Sequence, residues 1–365
     1  MPSDQAQPVT ICLEGGGSLG AFAWGALDRL LDEPGLRVAV AAGASAGAMN
    51  AAMLVQGLAT GGPAEAKRLL EQFWHRGAIA SGSPALPGAD WLAPFSGMIA
   101  PMVVALRQYS PYQVPLNPLG INPLRGVLDG LLDPSAFGRE GAPTLVVSAT
   151  RVRTGEPRLF RDAEVTVDVL LASACLPELF PTVEIDGEPY WDGGFVSNPP
   201  LRVLIEAGVP EDLIIIRATP VARPEAPVGA AGIQHRVAEI AFGGPLRQEL
   251  RNLAVAQRLL RELPEVPGVL GRLRDARLHM IGAEEEFRAL GDNQPDPTWS
   301  FLRNMHAVGV ATTDKWLAAN RDAIGKCSSL DLSAVAVPGG DLGTGKPPIG
   351  AVAASCGARS AVAAG

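Results

Sequence analysis

Between residues 38 and 54 the chain predicts a buried strand, a tight turn and a helix of small residues, in that order. The turn is Gly43-Ala44-Ser45-Ala46-Gly47. A Gly-x-Ser-x-Gly between a strand and a helix is typical of a nucleophile elbow, in which Gly43 and Gly47 leave space and the Ser45 hydroxyl is exposed. The strand, residues 38–42, is apolar along its whole length. Such a strand has to be covered on both faces, which favours a parallel sheet between two layers of helices.

The rest of the chain continues this alternation of apolar strands and amphipathic helices. We predict further strands at residues 9–13, 143–150, 213–216 and 277–281, with a short hairpin strand at 158–160. Helical periodicity separates them. The expected fold class is α/β, with three α/β/α layers and a central, mostly parallel sheet.

The predicted domain organisation is one large domain with weak ends. Residues 1–7 are expected to be disordered, and residues 8–325 to form the domain, whose part after residue 220 is mainly helical. One long helix is expected at 233–262, interrupted at Gly243-Gly244-Pro245. Residues 326–365 contain mostly small residues and few large apolar ones, so we expect a disordered, low-complexity tail.

Composition excludes several classes of protein. The net charge of −8 argues against a nucleic-acid partner, which would require a basic surface. No apolar run reaches the roughly 18–20 residues that span a bilayer, and no secretory signal is visible. The four cysteines and four histidines are scattered singly; this spacing indicates neither a disulfide framework nor a metal site, and the single cysteines fit a reducing compartment. We therefore expect a cytoplasmic protein, and peripheral attachment to a membrane is compatible with this expectation.

Residues 77–123 differ from the rest of the predicted domain. They are rich in Pro, Gly and Ser and carry an apolar stretch at residues 92–106. A long loop within a compact domain is usually functional. A cap or lid over an apolar substrate is one interpretation, with contact to a membrane or micelle surface, and a packed insertion that completes the core is the other.

A glycine-rich loop, Gly15-Gly16-Gly17-Ser18-Leu19-Gly20, joins the first strand to the first helix. Its spacing matches the dinucleotide fingerprint, but that interpretation needs an acid at the end of the second strand, where this chain has Ser45. The same backbone amides suit an oxyanion hole. If the first two strands are neighbours, the amides of residues 16–18 face Ser45. We therefore interpret residues 15–18 and Gly20 as an oxyanion-binding loop.

A nucleophilic serine also needs a base. The expected histidine of a Ser–Asp–His triad is hard to find, because His235 and His306 lie in predicted helices and His279 lies in a strand. Asp192 is better placed, since it follows a short apolar run and precedes Gly193 and Gly194. Partial burial would raise its pKa and make it a useful base, although an Asp-Gly turn of purely structural function has the same sequence.

Four segments, taken in order, resemble the motifs of the patatin-like phospholipases, a family of acyl hydrolases with a Ser–Asp dyad. They are the loop 15–20, the turn 43–47, the run Ala172-Ser173-Ala174-Cys175-Leu176-Pro177-Glu178-Leu179-Phe180-Pro181, and Asp192-Gly193-Gly194 with Asn198-Pro199 behind it. The similarity covers about residues 8–219 and continues more weakly to the last helix. Each motif is unspecific alone, but four in order are a strong signal.

The resemblance implies a serine lipid acyl hydrolase: a phospholipase A, a lysophospholipase or another carboxylic-ester hydrolase. Ser45 would be the nucleophile and Asp192 the general base, without a metal or cofactor. The family loop usually carries an arginine where this chain has Leu19. The absence of this arginine weakens the expectation of a phospholipid substrate more than the expectation of ester hydrolysis. A Ser–Asp–His esterase and a non-catalytic lipid-binding module on the same scaffold remain the alternatives.

Overall fold

A computed structural model of the chain describes residues 6–80, 122–220, 222–223, 225–290 and 297–332. Within these residues one sheet contains eight strands. The strands are β1 (Gln7–Leu13), β2 (Leu36–Gly43), β3 (Thr144–Arg151), β4 (Pro157–Arg161), β5 (Val183–Ile185), β6 (Glu188–Asp192), β7 (Asp212–Ile216) and β8 (Arg277–Ile281). The helices are α1 (Ala21–Leu31), α2 (Ala46–Thr60), α3 (Gly62–Ala80), α4 (Pro123–Asp129), α5 (Val167–Ser173), α6 (Leu201–Glu206), α7 (Ala230–Leu260), α8 (Gly268–Asp275), α9 (Glu284–Ala289) and α10 (Trp299–Asn320).

The strands are ordered β5-β6-β3-β2-β1-β7-β8, and β4 pairs with β3 outside this path. From β3 to β8 the neighbours are parallel. The remaining pairs, β3 with β4, β3 with β6 and β5 with β6, are antiparallel. The predicted fold class, a mostly parallel sheet flanked by helices, is therefore confirmed.

Side chains alternate between two apolar cores, one on each face of the sheet. Ile214 and Ile216 point into the larger core with α1, α2, α3 and α10. Leu213 and Ile215 point to the other face, where α6 and α7 cover them. All four are fully buried, and each stabilises the fold by about 1.5–3 kcal/mol relative to an exposed side chain. The buried strands are apolar along their length because they must fill both cores.

The register of β3 brings two strand ends together. Val146 pairs with β2 on one edge and with β4 on the other, and Ala149 pairs with β6 and β4 in the same way. Hence β2 and β6 share one edge of β3 and approach each other from opposite directions. The last residue of β2 pairs with Val147 and the last residue of β6, Asp192, pairs with Ala149. The two ends lie roughly 7 Å apart along β3, at about 3.3 Å per residue.

The long helix α7 differs from its prediction. It runs without interruption from Ala230 to Leu260 and contains Pro245. A proline in a helix interior costs about 3 kcal/mol through one lost hydrogen bond and a clash. Immediately after it, Leu246, Leu250 and Leu253 are buried in the second core. Their burial outweighs the cost of the proline, so the predicted interruption at residues 243–245 is wrong.

Both predicted disordered ends are partly ordered. β1 begins at Gln7, whose side-chain amide donates to Asp212. At the other end, Ser328 accepts a hydrogen bond from the Leu278 amide, and the Leu330 amide donates to the Leu278 carbonyl. These contacts satisfy the open edge of β8, which explains why order extends beyond residue 325. The other residues of the predicted termini, 1–5 and 333–365, lie outside the described part.

The cysteine prediction needs one correction. Cys12 and Cys175 are free and buried, but Cys327 is disulfide-bonded. The spacing of the cysteines in the sequence did not reveal this bond. The disulfide removes the support that the cysteine pattern gave to a reducing compartment.

The predicted cap lies almost entirely outside the described residues. Only residues 77–80, at the end of α3, and residues 122–123, at the start of α4, are described. The apolar stretch 92–106 is therefore not part of the structure discussed below. Among the helices that are described, none combines the length and the apolar character that a membrane span requires.

Candidate active site

Ser45 occupies a sharp turn between β2 and α2. Its backbone has φ 53° and ψ −129°, a conformation that a non-glycine residue adopts only at a cost of about 1–3 kcal/mol. The flanking glycines make the turn possible. A methyl group at Gly43 would lie 2.4 Å from the backbone of Gly47, and one at Gly47 would lie 2.4 Å from the Leu13 carbonyl oxygen. The Gly-x-Ser-x-Gly pattern therefore results from close backbone contacts on both sides of the serine.

The glycine-rich loop passes directly beside this turn. A methyl group at Gly15 would lie 2.7 Å from the Ser45 Cβ atom, so only glycine allows this approach. The Gly15 amide donates to Asn198 Oδ1 at 2.6 Å, and Asn198 Nδ2 donates to the Phe242 carbonyl at 3.0 Å. Asn198 thus holds the start of the loop beside Ser45, and the Gly15 amide is already engaged.

The middle of the loop faces the surface. Gly17 is exposed and has φ 56°, while Gly16 and Ser18 are half-buried. Among the described residues, the amides of positions 16–18 have no hydrogen-bond acceptor. The loop then closes into a short 3-10 helix, Gly17–Gly20, and the Gly20 carbonyl accepts from the Asn50 side chain at 2.9 Å. Residues 16–18 are therefore the part of the loop that can donate to a ligand.

Asp192 ends β6 and is completely buried. Its Oδ1 accepts from the Gly194 amide at 2.8 Å, and Oδ2 has no hydrogen-bond partner. Burial raises the pKa of Asp192 to about 7, and the Gly194 amide and the Ser45 hydroxyl lower it by less. The Ser45 hydroxyl is thus near the carboxyl group, but no well-aligned hydrogen bond joins the two side chains. A carboxyl group with this pKa can exchange a proton near neutral pH.

Gly193 and Gly194, which follow Asp192, allow this turn to pack closely against neighbouring elements. A methyl group at Gly193 would lie 2.1 Å from the Ser148 carbonyl oxygen, and one at Gly194 would lie 2.4 Å from the Phe242 ring. Larger residues would push the Asp192 turn away from β3 or from α7. The Asp-Gly-Gly sequence is therefore explained by contacts of the chain itself.

One short segment bridges the serine and the aspartate, and its role was missed in the sequence. The Ser45 amide donates to both the carbonyl and the hydroxyl oxygen of Ser173, each at 3.0 Å. The Asp192 amide donates to the Cys175 carbonyl at 2.9 Å. The Ser173 hydroxyl in turn donates to the Ser148 carbonyl at 2.7 Å. The run of residues 172–181 resembled a family motif, but only the fold shows that it holds both residues.

Glu14 anchors the other side of the loop. Its Oε2 accepts from the amides of Ala218 and Thr219, and its Oε1 accepts from the Thr219 hydroxyl. Burial raises the pKa of Glu14 to about 7, against the effect of these hydrogen bonds and of the nearby Arg217 charge. The glycine-rich loop therefore begins from a position fixed to the end of β7.

None of the histidines contacts Ser45 or Asp192 in the described residues. His279 is buried and bonds Asp212 and Ser329, near the start of β7 and thus away from the sheet edge that carries Ser45. His306 bonds Asp28 at 2.7 Å. His235 lies 3.7 Å from Glu239 on α7. The structure thus gives no support to a Ser–Asp–His triad.

Leu19 belongs to the hydrophobic core. Its side chain is buried in the larger core, so it does not point into the candidate site.

The described residues contain no cluster of His, Cys, Asp or Glu that could hold a metal ion. The chemistry that these residues can support is nucleophilic attack by a hydroxyl group with a carboxylate as proton acceptor.

Fold and site together define an α/β protein that presents a strained serine beside a buried carboxyl group and a glycine-rich loop. The model of the patatin-like phospholipase family matches residues 11–205, more than half of the chain. The chain belongs to the patatin-like phospholipase family, a family of lipid acyl hydrolases.

The chain was also compared with curated proteins and with solved structures. No curated protein matches the chain. Among solved structures, it is similar to the crystal structure of VipD from Legionella pneumophila, with 16% sequence identity and a TM-score of 0.40. That match covers 86% of this chain and 67% of the other.

Proposed function

We propose that this chain hydrolyses ester bonds of lipids, with Ser45 as the nucleophile and Asp192 as the general base. The observation that carries the proposal is the meeting of β2 and β6 on one edge of β3. Near these strand ends lie a strained serine and a buried carboxyl group whose pKa of about 7 suits proton transfer, and this proximity supports the proposal. Catalytic hydrogen bonds often tighten only with substrate, so the absence of a well-aligned Ser45–Asp192 bond is compatible with this role.

In the first half of the reaction, the ionised carboxylate of Asp192 takes the proton of the Ser45 hydroxyl. The Ser45 oxygen attacks the ester carbonyl carbon and forms a tetrahedral intermediate. When the carbon–oxygen bond of the leaving alcohol breaks, Asp192 returns the proton to that alcohol. The product is an acyl group on Ser45 and a free alcohol.

The negatively charged oxygen of the tetrahedral intermediate must be stabilised by hydrogen-bond donors. We assign them to the amides of Gly16, Gly17 and Ser18, with that of Ala46 as a further candidate at the start of α2. The Gly15 amide is excluded by its bond to Asn198, and Gly20 contributes packing. Each donor of this kind typically contributes about 10²–10³-fold to turnover.

In the second half, Asp192 takes a proton from a water molecule, which attacks the acyl-enzyme. Collapse of the second intermediate releases the fatty acid and returns the proton to Ser45. No other ionisable group is needed, which agrees with the lack of a histidine contact. The proposed substrates are phospholipids, lysophospholipids or other carboxylic esters of lipids. The acidic overall charge also supports a function without nucleic acid.

The proposal is tested with a series of p-nitrophenyl acyl esters. Ser45→Ala should abolish acyl-enzyme formation, and Asp192→Asn should lower turnover by roughly 10²–10⁴-fold, the usual contribution of a general base. Asp186→Asn is a matched control, because this exposed aspartate lies in the turn of the same β5–β6 hairpin. It should retain wild-type turnover.

A fluorophosphonate probe separates catalysis from lipid binding alone. Labelling of wild-type protein, and its loss in Ser45→Ala, are expected for a hydrolase. If the probe does not react, or if Asp192→Asn keeps wild-type turnover, the proposed dyad is wrong. Alanine replacement of His235, His279 and His306 would then test the triad alternative.

A further inference from the structure

Helix α7 has one buried face and one outward face. Leu246, Leu250 and Leu253 pack into the second core. The outward face lies on the opposite side, and it is not made of the usual charged and polar mixture. Five large aliphatic side chains on it are between 43% and 61% exposed: Ile233, Val237, Ile240, Val255 and Leu259.

Arginines continue the same line. Counting along α7 at about 3.6 residues per turn, the exposed Arg251 and Arg258 fall on the same side as the exposed aliphatic residues. We call these seven side chains the α7 stripe. From Ile233 to Leu259 it is roughly 39 Å long at about 1.5 Å per residue. Helix α7 thus presents an apolar segment followed by a mixed apolar and basic segment.

The α7 stripe contains no acid. The helix has two, Glu239 and Glu249, and both turn away from the stripe: Glu239 is buried against Arg223, and Glu249 accepts from the Arg202 amide. Neither stripe arginine is in an ion pair with a described residue. Arg247, at the flank of the helix, is not counted, because it is half-buried, donates to the Gly243 carbonyl at 3.2 Å and lies near the charge of Glu14. The stripe therefore carries two exposed positive charges on a chain of net charge −8.

We propose that the α7 stripe docks the protein on an anionic lipid surface. Exposed aliphatic side chains of this kind insert at the boundary between head groups and acyl chains, and arginines pair with lipid phosphates. The inference deepens the proposed function, on which it rests for the reason to visit a membrane.

Charge and shape favour this occupant over another protein. A second copy docked stripe to stripe in antiparallel orientation would bury the arginines of each copy against the aliphatic residues of the other, with no acid on the stripe to pair with them, which is costly. A bilayer surface, in contrast, is flat on this length scale and offers both apolar and negative groups along the whole stripe. The helix that carries the stripe also contacts the candidate active site, since its inner side meets the Asp192 turn through Phe242 and Gly194.

The test is sedimentation with lipid vesicles. Vesicles of phosphatidylcholine are compared with vesicles of phosphatidylcholine and phosphatidylserine at a ratio of about 2:1. All variants carry Ser45→Ala, so that vesicle lipids are not consumed. We expect binding to the mixed vesicles, weaker binding to phosphatidylcholine alone, and a loss of the difference at high salt.

Two variants dissect the stripe. Arg251→Gln/Arg258→Gln should weaken binding to mixed vesicles about 25-fold, since each arginine near such a surface contributes on the order of fivefold. Ile233→Ser/Val237→Ser/Ile240→Ser should weaken binding to both kinds of vesicle. The matched control replaces Arg37 and Arg161, exposed arginines of other elements, by glutamine. It changes the net charge equally and should bind like the parent.

Several outcomes would overturn the inference. Wild-type-like binding of the arginine variant, or an equal loss in the control, would show that the stripe is not the docking surface. So would a stable dimer in light scattering that disappears in the aliphatic variant. With Ser45 restored, both stripe variants should keep their turnover on a monomeric p-nitrophenyl ester. Vesicle binding by a protein that hydrolyses no ester would refute the proposed function and leave this inference standing.

Discussion

Exchange of Asp192 for asparagine removes the ionisable group of the candidate site but keeps nearly the same shape. The fold raises the pKa of Asp192 from 3.8 to about 7, chiefly by burial. The folded state therefore holds the proton more tightly than the unfolded chain does. The stability linked to this group is fully present below about pH 4 and is lost as the pH rises through about 7.

The size of the expected stability change follows from the shift in the pKa of Asp192. A difference of about three pKa units, at about 1.36 kcal/mol each, means that ionised Asp192 costs the fold about 4 kcal/mol above pH 7. Asparagine avoids this cost, but its amide takes the place of Oδ2, which has no partner, and an unpaired buried amide costs about 1–3 kcal/mol. We expect Asp192→Asn to be more stable than wild type by about 2 kcal/mol at about pH 8.

Urea unfolding followed by circular dichroism measures this difference at several pH values. The advantage of Asp192→Asn should shrink on acidification and disappear or reverse at about pH 4. Glu249→Gln is the matched control, because burial also raises the pKa of Glu249 to about 7, although this residue lies on α7 outside the candidate site. The control should show a similar pH-dependent gain in stability and keep its esterase activity.

An equal stability difference between Asp192→Asn and wild type at acid and at alkaline pH would contradict this prediction. Such a result would mean that the Asp192 carboxyl group titrates normally in the fold. Asp192 would then have no special aptitude as a base near neutrality. A more stable but inactive variant is the outcome that the burial of Asp192 predicts.

Three further predictions concern the same structure. Esterase kcat/KM should rise with pH and level off above about 7, because Asp192 must be ionised to accept the proton; a profile that is already flat above about pH 5 would contradict this assignment. Asn198→Ala should leave the Gly15 amide without its acceptor, lower the free energy of unfolding by about 1–3 kcal/mol and slow turnover, measured by denaturation and by ester hydrolysis. Asp212→Asn should lower the free energy of unfolding at neutral pH by about 3–5 kcal/mol, because Arg277 loses a buried partner. Burial raises the pKa of Asp212, but the hydrogen bonds from His279 and Arg277 outweigh this effect and lower the pKa overall. The stability loss in Asp212→Asn should therefore diminish at acid pH, and an equal loss at all pH values would contradict this prediction.

The local parts of the site were predictable from the sequence, because they depend on neighbouring residues. A turn such as the one at Ser45 can form only between small residues, and buried parallel strands have to be apolar. The same holds for the glycine-rich loop between β1 and α1. These features leave a pattern that can be recognised within a few residues.

The long-range parts were not predictable, because they depend on register. Nothing near Asp192 indicates that β6 runs antiparallel to β3 and ends opposite the end of β2. The bonds from Ser45 to Ser173 and from Gly15 to Asn198 join residues that are distant in sequence. At Pro245 a local signal led to a wrong prediction: the helix continues through the proline, because burial of the leucines that follow it outweighs its helix-breaking effect.

The shared edge of β3 also has a consequence for how this protein can vary. Ser45 and Asp192 are placed by the ends of two strands that both pair with β3, and the loops between them do not set their separation. Insertions or deletions in the long segment between α3 and α4 should therefore be compatible with an unchanged geometry of the proposed dyad. If that segment forms the predicted cap, changes in its length or sequence would alter substrate access without moving Ser45 or Asp192.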